Sequence, residues 1–254
     1  GSAAVNVGAM RIENCQTISI VGIYTEKVYG NALTIDTCTN LSVSNCTFKT
    51  KAIDPATEEY GILVKDSNNI RINNITGKFT DSIVKLENSK SCQVSEVTTI
   101  SDSNPYGIYG VYVDSTSVRN TISNVLLSAY TAEEIDSVGV YIEGDYNLVT
   151  GCNISNCASS GIKVLGDYNT ISNNELFNNN QGGNTNDGGI HIYLGNHNLV
   201  TGNYIFDTQT GSETHNFGIY LEGGGTSSDN NILTNNVIRS SNTKAISGSF
   251  SVLN

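Results

Sequence analysis

Residues 139–154 read GVYIEGDYNLVTGCNI and residues 161–176 read GIKVLGDYNTISNNEL, so one pattern returns after 22 residues. Each copy opens with a Gly and a short segment in which alternate side chains are apolar, which is the period of a β-strand. An Asn follows, with aliphatic residues two and seven positions after it. The two copies therefore predict short strands joined by turns, with no helix between them.

The pattern extends over almost the whole chain. Equivalent apolar positions recur at intervals of 22 to 29 residues, and they are Met10, Leu33, Ile62, Val84, Val111, Val140, Ile162, Ile190, Ile219 and Ile246. A repeat of this length indicates a solenoid, in which each repeat packs only on its neighbours. We therefore predict one domain over residues 1–254.

The second half of the pattern is marked by Asn. One Asn begins this part of each repeat in the C-terminal half, at Asn120, Asn147, Asn169, Asn198 and Asn231. Asn tolerates the left-handed backbone of a turn, and its side chain bonds neighbouring backbone groups. Stacked in successive coils, the amides can also bond one another. We therefore expect these Asn to form the turns and to stack in ladders.

The six cysteines are expected to be free thiols in the core. Cys46 and Cys92 occupy positions where other repeats have Ile, and free Cys behaves as a small apolar side chain. The cysteines form no CxxC pair and have no His at metal-ligand spacing. The sequence therefore predicts no metal site built on cysteine, and disulfides remain the alternative.

Three short strands in each repeat, without a helix, are what one coil of a parallel β-helix needs. The pattern resembles the right-handed parallel β-helix repeat proteins of the pectin lyase-like superfamily, including NosD-like and tailspike-like repeats. The resemblance implies an all-β fold, a single right-handed parallel β-helix (solenoid) of about ten coils. A leucine-rich repeat is the weaker alternative, because the Leu-rich consensus and the helical segments are missing.

Charge and hydropathy exclude some partners. Lys and Arg number 13 against 24 Asp and Glu, a net charge of −11, which disfavours binding to nucleic acid or to an anionic membrane. No run approaches the roughly 18 apolar residues of a membrane-spanning helix. We therefore predict neither a nucleic-acid partner nor membrane insertion.

The ends of the solenoid lack amphipathic capping helices in the sequence. The chain is expected to be a fragment of a longer protein. The alternatives are that residues 3–7 and 249–253 cover the ends, or that the coils stack on a neighbour through end-to-end or trimeric self-association.

If the Gly-initiated strand comes first in each coil, two rows of side chains point outward from it. The first row is Arg11, Thr34, Leu63, Lys85, Tyr112, Tyr141, Lys163, His191 and Tyr220. The second row is Glu13, Asp36, Lys65, Glu87, Asp114, Glu143, Leu165, Tyr193 and Glu222. Aromatic rings pack on the apolar faces of sugars and carboxylates accept sugar hydroxyls. The predicted substrate-binding residues are Tyr112, Tyr141, Tyr193, Tyr220 and Glu222.

Five insertions precede this strand, at residues 51–60, 101–109, 129–138, 180–187 and 208–217. They are expected to form a wall beside the outward rows, and loops on a rigid scaffold often carry function. The resemblance to pectin lyase-like enzymes implies a substrate groove in the same place.

The predicted catalytic residues are Asp114, Glu143, Lys163 and His191. Asp114 and Glu143 lie on adjacent coils and could supply the two carboxyl groups of a glycosidase. Lys163 and His191 could supply a lyase or epimerase with charge neutralisation and a base. The insertions and their borders add the acids Asp54, Glu58, Glu59, Glu133, Glu134, Asp136 and Asp187.

No enzyme motif of the superfamily transfers to this sequence. Residues 184–187 only approach the Asn-Thr-Asp element of polygalacturonases, residues 161–163 lack the Arg of their Arg-Ile-Lys element, and residues 54–58 do not match the alginate epimerase signature. Hydrolase, lyase and no catalysis therefore remain open. No cofactor is predicted, with Ca²⁺ left open because it commonly bridges uronates.

The functional prediction is an extracellular or cell-surface or virion-surface β-helix that binds or processes a polysaccharide or cell-surface glycan. The alternative is a non-catalytic structural module, such as an adhesin stalk, a cell-envelope repeat or a filament subunit. Metal-dependent cofactor handling of the NosD-like kind is the least favoured reading, because His191, His197 and His215 lack ligand spacing.

Overall fold

The structure is a computed structural model that describes residues 9–28, 30–50, 59–78, 81–99, 109–128, 137–182, 186–208, 216–223, 230–239 and 244–248. The described residues form 25 strands. In chain order they are β1 (Met10–Glu13), β2 (Ser19–Val21), β3 (Tyr24–Val28), β4 (Leu33–Asp36), β5 (Ser42–Thr50), β6 (Tyr60–Lys65), β7 (Arg71–Lys78), β8 (Ser82–Glu87), β9 (Gln93–Thr99), β10 (Tyr109–Val113), β11 (Thr121–Ser123), β12 (Leu126–Leu127), β13 (Val138–Ile142), β14 (Leu148–Thr150), β15 (Asn153–Ser155), β16 (Ile162–Val164), β17 (Thr170–Ser172), β18 (Glu175–Phe177), β19 (Gly188–Tyr193), β20 (Leu199–Thr201), β21 (Tyr204–Phe206), β22 (Phe217–Glu222), β23 (Ile232–Thr234), β24 (Val237–Arg239) and β25 (Lys244–Gly248).

The first sheet contains one strand from each of ten coils. Its order is β1-β4-β6-β8-β10-β13-β16-β19-β22-β25, and every pairing is parallel. The register pairs Met10 with Leu33 at one end and Ile219 with Ile246 at the other. The predicted all-β right-handed parallel β-helix is confirmed, and the register is the one that the repeat predicted.

The second sheet contains fifteen strands and covers the rest of each coil. In three early coils it has one long strand, β5, β7 or β9, which bends at a residue with positive φ: Asn45, Asn74 or Glu96. In later coils the bend interrupts the strand, as between β14 and β15 at Gly151. Buried aliphatic side chains from both sheets fill the space between them.

The predicted Asn ladder is confirmed. Asn147 accepts a 2.8 Å hydrogen bond at Oδ1 from the backbone N–H of Asn120, and Asn169 accepts one of 2.7 Å from that of Asn147. Asn198 and Asn231 continue the series. A second ladder bonds amide to amide, from Asn174 to Asn203 and from Asn203 to Asn236, at 2.9 Å each.

The expectation that the ladder Asn themselves adopt the left-handed turn conformation is wrong. The positive φ belongs to the residue before each of them: Arg119, Tyr146, Tyr168, His197 and Asn230. The ladder amide must point inward to reach the backbone of the preceding coil, so the bend falls on its neighbour. That neighbour is exposed, and its side chain lies in solvent at the corner of the coil.

All six cysteines are free, and all except the half-buried Cys15 are buried. The predicted core thiols are therefore confirmed. Burial raises the pKa of Cys92 and Cys152 to about 11 and that of Cys157 to about 12.

The Gly that begins many of the repeats has a packing role. A Cβ added at Gly139 would lie 2.4 Å from Cγ2 of Ile154 and 2.6 Å from the carbonyl oxygen of Gly161, so no larger residue fits. Gly139 and the buried Val140 both face the core, and strand pairing skips the Gly. The residue before the Gly consequently points outward.

Among the described residues, no helix is long and apolar enough to cross a membrane.

Candidate functional site

The candidate site is the outward side of the first sheet, here called the outer face. The first predicted row lies in register along it, and its central part is Lys85, Tyr112, Tyr141, Lys163, His191 and Tyr220, one residue from each coil. The predicted wall of insertions lies mostly outside the described residues, as do Asp54, Glu58, Glu133, Glu134 and Asp136. Glu59 and Asp187 are described and buried.

His191 lies between two carboxylates. Its Nδ1 is 3.3 Å from Oδ1 of Asp187, and its Nε2 is 3.0 Å from Oε2 of Glu222. Asp187 also accepts hydrogen bonds from Oγ of Ser159 at 2.7 Å and Oγ of Ser160 at 2.8 Å. Although His191 belongs to an outward row, it is only 3% exposed, because these groups enclose it.

The ionised carboxylate of Asp187 determines how the imidazole of His191 is held. Burial raises the pKa of Asp187, but the hydrogen bonds from His191, Ser159 and Ser160 together outweigh burial and lower the pKa to about 2. The ionised carboxylate accepts the Nδ1–H of His191, which fixes the imidazole. The other ring nitrogen, Nε2, then faces Oε2 of Glu222 at hydrogen-bond distance.

Glu222 is the member of this group that a ligand can reach. Its side chain is 29% exposed, whereas that of His191 is 3% exposed. Tyr220 lies beside it, with its ring centroid 5.1 Å from that of His191. Burial and the negative charge of Glu222 raise the pKa of Tyr220, so its phenol stays protonated.

Lys163 completes what we call the His191 centre, defined as Lys163, Asp187, His191, Tyr220 and Glu222. Lys163 pairs with His191 in the strand register, and its Nζ lies 5.9 Å from the ring centroid of Tyr193. Lys163 forms no ion pair with a carboxylate in the described ranges. The centre thus combines a carboxylate, a phenol and an uncompensated ammonium group on three adjacent coils.

A second cluster lies on the N-terminal side of this centre, and we call it the tyrosine platform: Tyr109, Tyr112 and Tyr141. The rings of Tyr109 and Tyr141 stack at 4.8 Å with an angle of 11°, and that of Tyr112 lies 5.1 and 5.4 Å from them. The phenol of Tyr112 donates a 2.8 Å hydrogen bond to Glu143. Burial and Glu143 both raise the pKa of Tyr112, so this donor stays protonated.

Lys85 supports the platform from one side. Its Nζ lies 4.8 Å from the ring centroid of Tyr60 and 5.3 Å from that of Tyr112, within the range of a cation–π interaction. It also donates to the phenol of Tyr60 at 3.0 Å and lies 3.5 Å from Glu87. These contacts fix the platform before any ligand binds.

The predicted pair of Asp114 and Glu143 is not assembled as a pair of open carboxylates. Asp114 Oδ1 accepts hydrogen bonds from the backbone N–H of Thr116 and of Asn88, and both of its oxygens contact the hydroxyl of Thr116. Asp114 therefore caps the turn that follows β10, while Glu143 bonds Tyr112. Their catalytic roles stay predictions that these contacts do not favour.

The two predicted outward rows did not include Tyr60 and Tyr109, nor did they include Ser159 and Ser160. Strict alternation from Tyr112 places Tyr109 inside, but Gly110 and Val111 both face the core, so Tyr109 emerges on the outer face. The sequence signal for this outward placement is a Gly followed by an aliphatic residue, and this pair recurs in successive repeats. Among the described residues, no group of three or more His, Cys, Asp or Glu is arranged to hold a metal ion.

Comparison with solved structures finds the same fold in several proteins. An alginate lyase from Paenibacillus sp. is similar over 91% of this chain and 80% of its own, with a TM-score of 0.70 and 16% identity. The Dettilon tailspike protein matches 89% of this chain and 47% of its own, at a TM-score of 0.62 and 15% identity. The pectate lyase Pel9A matches 86% and 70%, at a TM-score of 0.53 and 10% identity.

Comparison with curated protein sequences gives no match. The family described as "Right handed beta helix region" matches residues 86–252, which is well over half of the sequence. Together with the parallel register of the ten-stranded sheet, this match shows that the chain belongs to the right-handed β-helix family.

Proposed function

We propose that this chain binds a polysaccharide along the outer face and cleaves it at the His191 centre. The observation that carries the proposal is the series of contacts from Asp187 through His191 to Glu222, which ends in a carboxylate side chain that is 29% exposed. A buried Asp–His pair behind a carboxylate fixes the orientation of that carboxylate, so that it can act as a general base. In this arrangement Asp187 and His191 are positioning residues. The names of two proteins similar in fold, an alginate lyase and a pectate lyase, support the substrate class.

The reaction that these groups suit is β-elimination at a uronic acid unit. Glu222 takes the proton from C5, the electron pair forms a C4–C5 double bond, and the C4–O bond breaks. The leaving oxygen receives the phenolic proton of Tyr220. The ammonium group of Lys163 offsets the uronate charge, which makes the C5 proton easier to remove.

Hydrolysis is less well supported by the described carboxylates. It needs two open carboxyl groups about 5 to 9.5 Å apart. Glu143 and Glu222 are three coils apart in the same row, which corresponds to about 14 Å at a strand spacing of ~4.8 Å. Asp114 lies closer to Glu143, but its carboxylate is hydrogen-bonded within the turn that follows β10.

The proposal is tested by incubating the protein with a panel of uronate-containing and uncharged polysaccharides. Elimination produces new reducing ends together with the ultraviolet absorbance of unsaturated sugars. Glu222→Gln, Tyr220→Phe and Lys163→Ala should each lower the rate at least about tenfold. Glu175→Gln, which changes an exposed carboxylate of the second sheet, should leave it unchanged.

New reducing ends without the ultraviolet absorbance would show that the reaction is hydrolysis and not elimination. No product from any member of the panel would overturn catalysis and favour a structural module.

A polysaccharide substrate is met outside the cytoplasm, so the proposal extends to an extracellular, periplasmic or surface location. The names of a tailspike and a periplasmic alginate epimerase among the proteins of similar fold support this location.

A further inference from the structure

We infer that the tyrosine platform is a separate subsite for an uncharged sugar unit of the polysaccharide. This inference rests on the proposed function, because the platform lies on the face which that function assigns to the glycan. In the strand register Tyr141 is followed by Lys163 and then by His191. The platform therefore begins two coils, or about 10 Å, from His191 itself, with Lys163 on the coil between them.

The platform is a preformed aromatic surface. Its three rings are within 5.4 Å of one another by centroid distance and are half-buried, so they are both packed and reachable. Tyr112 is fixed by its bond to Glu143 and by Lys85 beside its ring. Aromatic rings bind the C–H face of a pyranose, and a surface that is already ordered loses little entropy on binding.

The described charges around the platform leave no excess of positive charge. Lys65 and Lys85 lie 3.1 and 3.5 Å from carboxylate oxygens of Glu87, and Glu143 supplies a second negative charge. Asp114 lies between Glu87 and Glu143 in the same row, so two lysines stand against three described carboxylates, and a uronate unit would find no surplus of described positive charge here. Lys163, in contrast, forms no ion pair with a described carboxylate. The outer face therefore offers a place for an acidic unit at Lys163 and for an uncharged unit at the platform.

Glu143 adds a polar contact suited to a sugar. One carboxylate oxygen accepts the phenol of Tyr112, and the other has no hydrogen-bond partner within the described part of the chain. That oxygen can accept a sugar hydroxyl. The substrate class that follows is a heteropolysaccharide in which uncharged units separate the uronates. Such a glycan also carries less negative charge per unit than a polyuronate, which suits a protein of net charge −11.

The test is calorimetric binding of three oligosaccharide probes to the Glu222→Gln protein, in which cleavage is blocked. The probes are an uncharged xylan hexasaccharide, an oligogalacturonate and a hyaluronan hexasaccharide, in which uronate and uncharged units alternate. The alternating probe should bind most tightly and the oligogalacturonate least. When Tyr109→Ala or Tyr141→Ala is combined with Glu222→Gln, binding of the alternating probe should weaken about tenfold.

Two controls accompany this test. Tyr141→Phe keeps the ring and should keep the affinity, which separates ring loss from misfolding. Tyr168→Ala removes a tyrosine that is 46% exposed at a coil corner away from the outer face, and it should have no effect. Unchanged affinity in both platform variants, tightest binding by the oligogalacturonate, or no binding by any probe would overturn the subsite.

The two proposals fail separately. Platform-dependent binding without product formation by the wild-type protein would overturn the reaction and leave the subsite standing. Product formation with unchanged affinity in Tyr109→Ala and Tyr141→Ala would overturn the subsite and leave the reaction standing.

Discussion

The Nε2 atom of His191 lies 3.0 Å from Oε2 of Glu222, although the two residues are 31 positions apart in the sequence. The parallel register brings them together, because β19 and β22 occupy adjacent coils and His191 pairs with Tyr220, two residues before Glu222. The side chains are on neighbouring rungs of one sheet, so their energies should be coupled.

We expect the stability effects of His191→Gln and Glu222→Gln to be non-additive. The two groups are joined by one hydrogen-bond contact, so removing either one removes the same interaction, and a coupling energy of about 1–3 kcal/mol is expected. Denaturant unfolding of both single variants and the double variant measures it. Effects that add within about 0.5 kcal/mol would show that the contact is not formed in solution.

Asp187 should make stability depend on acid pH. Its folded-state pKa is lowered from 3.8 to about 2, so its contribution is fully present above about pH 4 and is lost as pH falls through about 2. The shift corresponds to about 2 kcal/mol. Unfolding curves between pH 5 and 2 should show this loss in the wild-type protein and not in Asp187→Asn. Equal pH dependence in both proteins would contradict the assignment.

The Asn ladder should be sensitive to a single substitution. Asn198 is fully buried, accepts the backbone N–H of Asn169 at 2.7 Å and donates to the carbonyl of Gly166 at 3.1 Å. Asn198→Ala leaves both groups unpaired, at a cost of about 1–3 kcal/mol for each. The control is Asn153→Ala, which removes only a surface bond to Glu175 and should cost less than about 1 kcal/mol. Equal unfolding midpoints for the two variants would count against the ladder.

Thiol labelling should separate Cys15 from the other cysteines. Cys15 is the half-buried thiol, and the other five are buried in the described core. A water-soluble thiol reagent should therefore modify about one group in the native protein and all six after denaturation. Rapid reaction of several thiols without denaturant would be incompatible with this core.

Gly139→Ala should be strongly destabilising. Its Cβ would collide with the Ile154 side chain and with the backbone of Gly161 in the next coil, so the two coils would have to separate locally. We expect a loss of about 1–3 kcal/mol in the free energy of unfolding. Gly22→Ala is the contrasting variant: it has positive φ but nothing within 4 Å of an added Cβ, so it tests backbone strain alone.

The fold and its register could be predicted from the sequence because both depend on one repeated signal. The interval between equivalent residues such as Val140 and Ile162 fixes which residues pair, and the period of two fixes which side chains face the core. Buried cysteines followed from the same alignment, because they occupy aliphatic positions.

The candidate site was harder to predict, because it depends on departures from that period. Tyr109 reaches the outer face only because Gly110 and Val111 both turn inward. The burial of Asp187 beside His191 depends on groups from another coil, Ser159 and Ser160, whose distance from Asp187 in the sequence gives no hint of contact. The side chains of Asp114 and Glu143 were correctly placed near the face, but their partners could not be read from spacing.

The ladders of Asn147, Asn169 and Asn198 connect each coil only to the coils directly before and after it. Removing or duplicating one whole coil would therefore leave every remaining amide with an equivalent partner. The length of the outer face is thus a quantity that can grow or shrink in steps of one coil, independently of the chemistry at any position on it. Gene duplication could in this way lengthen the outer face without changing the side chains at any existing position on it.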